Sequence, residues 1–219
     1  MFAPHLMIAT DADSKATTVG TAEDPAAAAS AYLVWCANHA WVRWGAYPLF
    51  DYTCTNNTQT SILAPLPVGI AGVFIVVHGA SYKPGNTASD SLYMQMQSSN
   101  NVVDTGANYK WTDSNSSNTS APSIRVGFFG TTASPWTLNS KTVYYGGSSA
   151  IWVAGLTSTA AHPVTVISNW QQQANNVRGF GVWHPLACGV ANNYCKGLNF
   201  TLQLGSPFAS GSRVSVVSC

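Results

Sequence analysis

The side chains that could do chemistry are sparse in this 219-residue chain and are not grouped. From residue 60 onward the only carboxylates are Asp90, Asp104 and Asp113, and each lies in turn-like sequence. A glycosidase would need two carboxylates that converge on one bond. Because Asp in turns commonly caps backbone amides, these three positions favour a structural role. We therefore predict that none of them is catalytic.

Motifs for a nucleophile or a cofactor are also missing. The run GGSSA at 146–150 departs from the GxSxG nucleophile motif at its last position and fits a turn between two strands. No P-loop, dinucleotide fingerprint or HExxH segment occurs in the sequence. The chain is therefore predicted to be non-enzymatic and to use no cofactor.

The five cysteines form no CxxC pair and the five histidines are scattered, so no metal site is predicted. Cys188 and Cys195 are separated by GVANNY, in which Asn192 and Asn193 favour a turn. This spacing predicts an intrachain disulfide, and buried free thiols are the alternative. An odd number of cysteines leaves at least one thiol unpaired or linked between chains.

Charged residues make up 8% of the chain, against about a quarter in an average soluble domain. Ser, Thr, Asn and Gln must supply the polar surface instead. They favour turns and strand edges, and a surface of this kind suits packing against other subunits. The net charge is +1 and no Lys/Arg run occurs, which predicts no nucleic-acid partner.

No membrane partner is predicted either. The longest apolar run, residues 69–77, is far shorter than the roughly 20 residues of a transmembrane helix. The N-terminus lacks the basic and apolar regions of a signal peptide.

From about residue 60 the pattern is one of short apolar or alternating segments separated by turn residues, with no long helical segment between them. Such spacing predicts an all-β antiparallel sandwich, jelly-roll-like, over residues 56–219. The predicted strands cover residues 61–66, 73–79, 91–97, 123–129, 142–145, 150–156, 164–170, 179–183, 198–204 and 213–217.

Residues 1–55 differ in composition and are predicted to form an N-terminal arm or attachment region. Asp24 as N-cap and Pro25 at the first helical position indicate a short helix that ends near Ala37, with a flexible leader as the alternative. An aromatic block follows, and it could bury a large area on a partner or in the core. The candidate attachment residues are Trp35, Trp41, Trp44 and Tyr47.

Residues 71–219 resemble a β-sandwich domain of tailed-bacteriophage tail-fibre, tail-tip and head-decorating proteins. The resemblance rests on the apolar run AGVFIVVHGA, the strand SLYMQMQSS, the YKW segment and the later strands SIRVGFF and SAIWVAGL. It also rests on the ending GLNFTL followed by SGSRV. The resemblance implies a sandwich fold and a virion structural role, and it supplies no catalytic residues.

Three functions are compatible with that resemblance. The first is a capsid decoration, cement or accessory shell protein, which the short, low-charge chain without a fibre shaft favours. It would assemble as a homo-oligomer, with a trimer as the expected state, on other virion proteins. We expect it in the virion, which is assembled in the host cytoplasm.

The second function is a receptor-binding tail-fibre or tail-tip protein whose exposed loop aromatics stack on a host-surface glycan. The third is the jelly-roll coat protein of a small virus, against which the missing basic arm counts. The candidate glycan contacts are Tyr109, Trp111, Trp136, Trp183 and Tyr194.

Overall fold

The computed structural model describes residues 7–8, 33–37, 40–44, 48–82, 90–129, 136–138, 141–143, 147–156, 163–172, 175–189 and 193–219. The chain divides into two compact units. One consists of Met1–Pro48 and Val217–Cys219, and the other of Leu49–Val216. The sequence placed a boundary near residue 55, and the attachment role given to residues 1–55 stays a prediction.

The first unit contains a small antiparallel sheet in the order β1 (Met7–Ile8), β2 (Leu33–Ala37) and β3 (Ala40–Trp44). The predicted helix is therefore wrong over residues 33–37, and residues 24–32 lie outside the described part. Val34 and Trp35 are residue types that favour strands, and Trp35 pairs opposite Val42 in the register with β3. Cross-strand pairing outweighs the local capping signal here.

The second unit is an antiparallel β-sandwich, which confirms the predicted all-β fold. One sheet has four strands in the order β10-β7-β16-β5, and the other has eight in the order β4-β17-β6-β13-β14-β15-β8-β9. A two-stranded pair, β11-β12, is separate. The strands are β4 (Pro48–Thr53), β5 (Ser61–Pro65), β6 (Gly72–Gly79), β7 (Asp90–Gln97), β8 (Tyr109–Asp113), β9 (Ser117–Ala121), β10 (Ile124–Phe129), β11 (Trp136–Leu138), β12 (Lys141–Val143), β13 (Gly147–Ala154), β14 (Val164–Gln172), β15 (Asn175–Trp183), β16 (Gly197–Leu202) and β17 (Arg213–Ser218). Short 3-10 turns follow β15 (Pro185–Cys188) and β16 (Gln203–Gly205).

The core fills the space between the two sheets. Alternate side chains of β6, such as Val73 and Ile75, are fully buried, and so are Leu92 and Met94 of β7 from the facing sheet. This period of two is the signature of strands that bury one face. Burial of apolar area at about 25 cal/mol per Å² is the main term holding such a sandwich together.

Two glycines of β15 leave room for large neighbouring side chains, Gly181 for one across the sandwich and Gly179 for one on the adjacent strand β14. A Cβ at Gly181 would lie 2.5 Å from Cγ2 of Ile124 in the opposite sheet, and a Cβ at Gly179 would lie 2.7 Å from the Trp170 ring. Both glycines are inward-facing and buried, so Phe180 between them faces outward. The alternation Gly-Phe-Gly thus leaves room for the core while it presents an aromatic ring to solvent.

Strand β9 lies outside the strands predicted from the sequence. Its residues are Ser-Asn-Thr-Ser-Ala, and four of the five are exposed. It pairs with β8, where Thr112 is opposite Ser117, and it forms the edge of the eight-stranded sheet. An edge strand of this kind buries little of itself, so no apolar alternation marks it in the sequence.

Candidate binding surface

The outer face of the eight-stranded sheet carries a continuous row of apolar side chains across four strands. Phe74 of β6 pairs opposite Trp152 of β13, Trp152 opposite Ile167 of β14, and Ile167 opposite Phe180 of β15. With strands about 4.8 Å apart, the row extends about 14 Å across the sheet. We call these four residues the apolar row.

The apolar row is open to solvent rather than covered by the rest of the described chain. Trp152 is 43% exposed, Ile167 40% and Phe180 52%, whereas the inward neighbours on the same strands are buried. The Phe74 and Trp152 rings contact each other, with centroids 4.8 Å apart. Single exposed apolar residues are ordinary on proteins, but a contiguous row is typical of a surface that binds something.

A shallow groove of about 330 Å³ adjoins the row at Phe180. It lies over β8, β9, β14 and β15, and Phe180 and Val182 form part of its lining. Polar side chains complete that lining, among them Lys110, Thr112, Asn118 and Thr165. The surface that these residues turn towards the groove is nevertheless almost entirely apolar, so the groove suits the apolar face of a ligand.

The charge around the groove is positive. Lys110 and Arg178 are both exposed, and Arg178 lies two residues before Phe180 on the same face of β15. Within the described residues, the ion pairs are Arg125–Asp113 and Arg213–Asp51, so neither of the groove cations is paired.

Two of the predicted glycan contacts are core residues, which corrects the expectation that they are exposed in loops. Tyr109 and Trp183 lie on β8 and β15, are fully buried, and stack on each other with ring centroids 6.5 Å apart. Trp183 Nε1 donates to Asp104 Oδ2 at 2.6 Å, and Tyr109 Oη donates to the Asp104 carbonyl at 2.9 Å. Their polar ends are satisfied inside the protein, so no sugar can reach either ring.

The other predicted glycan contacts do not form one site. Trp111 is half-buried against the core and borders the groove, while half-buried Tyr194 lines a separate apolar hollow of about 260 Å³ beside Leu66 and Val68. The side chain of Trp136 on β11 lies outside the described part, and so do the attachment candidates' side chains. Those candidates are Trp35 on β2, Trp41 and Trp44 on β3, and Tyr47.

The predicted disulfide between Cys188 and Cys195 is wrong, because Cys195 is a free thiol. It is fully buried just before β16, with Sγ 3.7 Å from Met96 Sδ and 3.3 Å from the Gly197 carbonyl oxygen. Burial raises the pKa of the Cys195 thiol to about 12. The side chain therefore behaves as an apolar core residue.

The carboxylates in the described part of the chain all have structural partners. Asp104 also accepts from both the Gly106 amide and Asn108 Nδ2, while Asp90 accepts from Ser81 Oγ at 2.6 Å. Asp113 accepts backbone amides at the β8–β9 turn and pairs with Arg125.

Asp51 is the fourth carboxylate, and it lies on β4. The hydrogen bonds from Arg213, and then that from Ser215, hold the pKa of Asp51 below its ordinary value. Over the same described residues, no group of three His, Cys, Asp or Glu side chains could hold a metal ion. No helix among them is long and apolar enough to cross a membrane.

The comparisons with known proteins give no family. No family model and no curated protein matches the chain. The solved structure of the marine PL-14 alginate lyase from Aplysia kurodai is similar over 84% of this chain and 84% of that chain, with 9% sequence identity and a TM-score of 0.33. A likeness this distant carries no argument about function.

The apolar row could have been suspected from the sequence. Segments such as GVFIVVHG and SAIWVAGL are apolar at both odd and even positions. A sheet with one solvent-facing side needs apolar residues at alternate positions only, so the extra apolar residues must lie on the outer face. What the sequence leaves open is which parity faces the core, because that depends on the sheet packed against it.

Proposed function

We propose that this chain is a non-enzymatic structural component of a bacteriophage particle, in which residues 1–55 attach the protein and the sandwich projects outward. The observation that carries the non-catalytic, ligand-binding part of the proposal is the apolar row, an exposed surface on a domain whose described carboxylates are all engaged in structural contacts. The low charge content and the resemblance to phage sandwich domains support it.

A decoration, cement or accessory shell protein is the first form of this proposal. It is a homo-oligomer, with a trimer as the expected state, because phage particles are built from symmetric repeats. Multi-angle light scattering of the purified chain should give about three times the 23.1 kDa mass of one chain. A stable monomer at micromolar concentration would argue against self-assembly of the free protein.

A receptor-binding tail-fibre or tail-tip protein is the second form. The groove beside Phe180 favours it, since the exposed Phe180 ring and the apolar groove surface offer a platform on which a sugar ring can stack. The coat protein of a small virus is a third form, and no observation on the described surface favours it over the others.

Attachment and catalysis can be tested separately. Deletion of residues 1–30 should leave a folded sandwich that no longer joins particles, measured by circular dichroism and by blotting of purified particles. Normal incorporation of the truncated chain would place the anchor elsewhere. Hydrolysis of host-surface polysaccharide by the pure protein, abolished by Asp90→Asn, Asp104→Asn or Asp113→Asn in a folded variant, would overturn the non-enzymatic assignment.

A further inference from the structure

We propose that the groove beside Phe180 binds an acidic carbohydrate. In this arrangement the apolar row supports the apolar face of the sugar rings, and Lys110 and Arg178 pair with carboxylate groups of the ligand. The inference rests on the proposed function, in which the sandwich projects from the particle and its outer face is accessible.

The charge of the site selects the class of sugar. Lys110 and Arg178 flank the exposed Phe180 ring, and every carboxylate in the described part of the chain is buried or already paired with an arginine. Two cations beside an aromatic platform attract an anion that also has an apolar surface. A uronic or sialic acid unit has both, because its ring C–H groups are apolar and its carboxylate is ionised at neutral pH.

The groove itself suits the apolar part of such a unit. Thr112, Asn118 and Thr165 border it, but the surface that the lining residues turn towards it is almost entirely apolar. Asn118 Oδ1 accepts from the Ser120 amide at 2.9 Å and is thus engaged within the edge strand. Recognition of the polar groups of the ligand therefore rests on the exposed Lys110 and Arg178.

A second copy of this chain fits the same surface less well. The unpaired charge on this face is positive, so two such faces brought together would place like charges in apposition, which is unfavourable. A self-association through the apolar row is nevertheless a distinct outcome that the experiment must separate from sugar binding.

The test is a titration of the full chain, by calorimetry, with a fixed panel of acidic oligosaccharides. The panel contains an oligogalacturonate hexamer, a hyaluronan hexasaccharide and an α2,8-linked sialic acid trimer, each compared with its methyl-esterified form. At least one acidic member should bind, and its methyl ester should bind about tenfold less tightly, since esterification removes the charge that both cations recognise. Raising the salt concentration should weaken binding of the acidic form.

Variants locate the site. Lys110→Gln and Arg178→Gln should each weaken binding about fivefold, the upper end of an exposed ion pair, and Phe180→Ala about tenfold. Lys196→Gln is the matched control, because Lys196 precedes β16 of the other sheet, and it should bind like the unchanged protein.

Several results would overturn the inference. These are no binding to any panel member, equal binding of the methyl esters, unchanged binding of the Lys110 and Arg178 variants, or a sugar-independent dimer that Phe180→Ala dissociates. Incorporation of the chain into particles is measured alongside sugar binding, so that failure of this inference can be told from failure of the proposed function. Incorporation without sugar binding defeats this inference alone, whereas failure to incorporate defeats the proposed function.

Discussion

The inner and outer faces of the eight-stranded sheet are built from alternate residues of the same strands. On β13, Ile151 is fully buried while the adjacent Trp152 is 43% exposed, and on β15 the buried Gly181 follows the exposed Phe180. Both faces are apolar at their centres, but in the part of the chain that the structure describes only the inner face has a second sheet against it. Apolar character alone therefore does not tell which face stabilises the fold.

This contrast separates stability from binding. Inner-face residues pack against β7, β10 and β16, so changing them creates cavities or overlaps. Outer-face residues retain much of their solvent exposure in the folded state. Changing them should therefore alter the free energy of unfolding little and the affinity for a ligand strongly. The following substitutions test that separation, and each uses the free energy of unfolding as its main measurement.

The largest loss of stability is expected for Trp183→Ala. Trp183 is fully buried and its Nε1 donates to Asp104, so truncation leaves a large cavity and removes a partner from a buried carboxylate. We expect a loss of about 3–5 kcal/mol in urea unfolding. Trp152→Ala is the matched outer-face control and should cost about 1 kcal/mol or less. Equal losses for the two tryptophans would remove the distinction between the faces.

Gly181→Ala should cost about 1–3 kcal/mol through overpacking. The added Cβ would lie 2.5 Å from Cγ2 of Ile124, so either the Ile124 side chain or the backbone around one of the two residues must shift. In an Ile124→Ala background the same change should cost much less, which a double-mutant cycle would detect. Additive effects in the cycle would show that the glycine serves some purpose other than this close approach.

Alkaline pH should destabilise the fold through Cys195. The folded pKa of about 12 lies above the ordinary value of 9.0, because burial disfavours the thiolate. The contribution of the protonated Cys195 thiol to the free energy of unfolding is therefore complete below pH 9. It is lost as the pH rises from 9 towards 12, at no more than about 1.4 kcal/mol per pH unit. Urea unfolding of Cys195→Ala, measured at pH 8 and pH 10, should show a smaller decrease than the unchanged protein. Identical decreases would mean that the thiol ionises with its ordinary pKa in the folded state.

The smallest loss of stability is expected for Phe180→Thr. The side chain is 52% exposed and threonine is well suited to a strand, so the free energy of unfolding should change by less than about 0.5 kcal/mol. A loss above about 2 kcal/mol would show that Phe180 is part of the folding core rather than of a binding surface.

Much of the sandwich was predictable because its strands alternate and Gly, Ser and Asn mark the turns between them. The predicted strands at 73–79, 91–97 and 123–129 correspond to β6, β7 and β10 within a residue or so at their ends. The helix prediction failed over residues 33–37. It rested on Asp24 and Pro25, which indicate where a helix can begin but carry no information about pairing between β2 and β3.

The candidate site was less predictable. Trp183 and Trp152 both occur in apolar strand sequence, yet one is buried and the other exposed. Their fates depend on which side of the sheet receives the four-stranded partner, and that is a tertiary property. Likewise, the groove brings together residues from β8, β9, β14 and β15. Strands β8 and β9 are far from β14 and β15 in the sequence and become their neighbours only through strand pairing.

Electron cryomicroscopy of an assembled particle at side-chain resolution would show directly where the sandwich lies and which of its surfaces are covered. We expect residues 1–55 to contact other particle proteins and Trp152, Ile167 and Phe180 to face solvent, away from the particle. An apolar row buried against a neighbouring particle protein, with residues 1–55 free of contacts, would contradict this expectation.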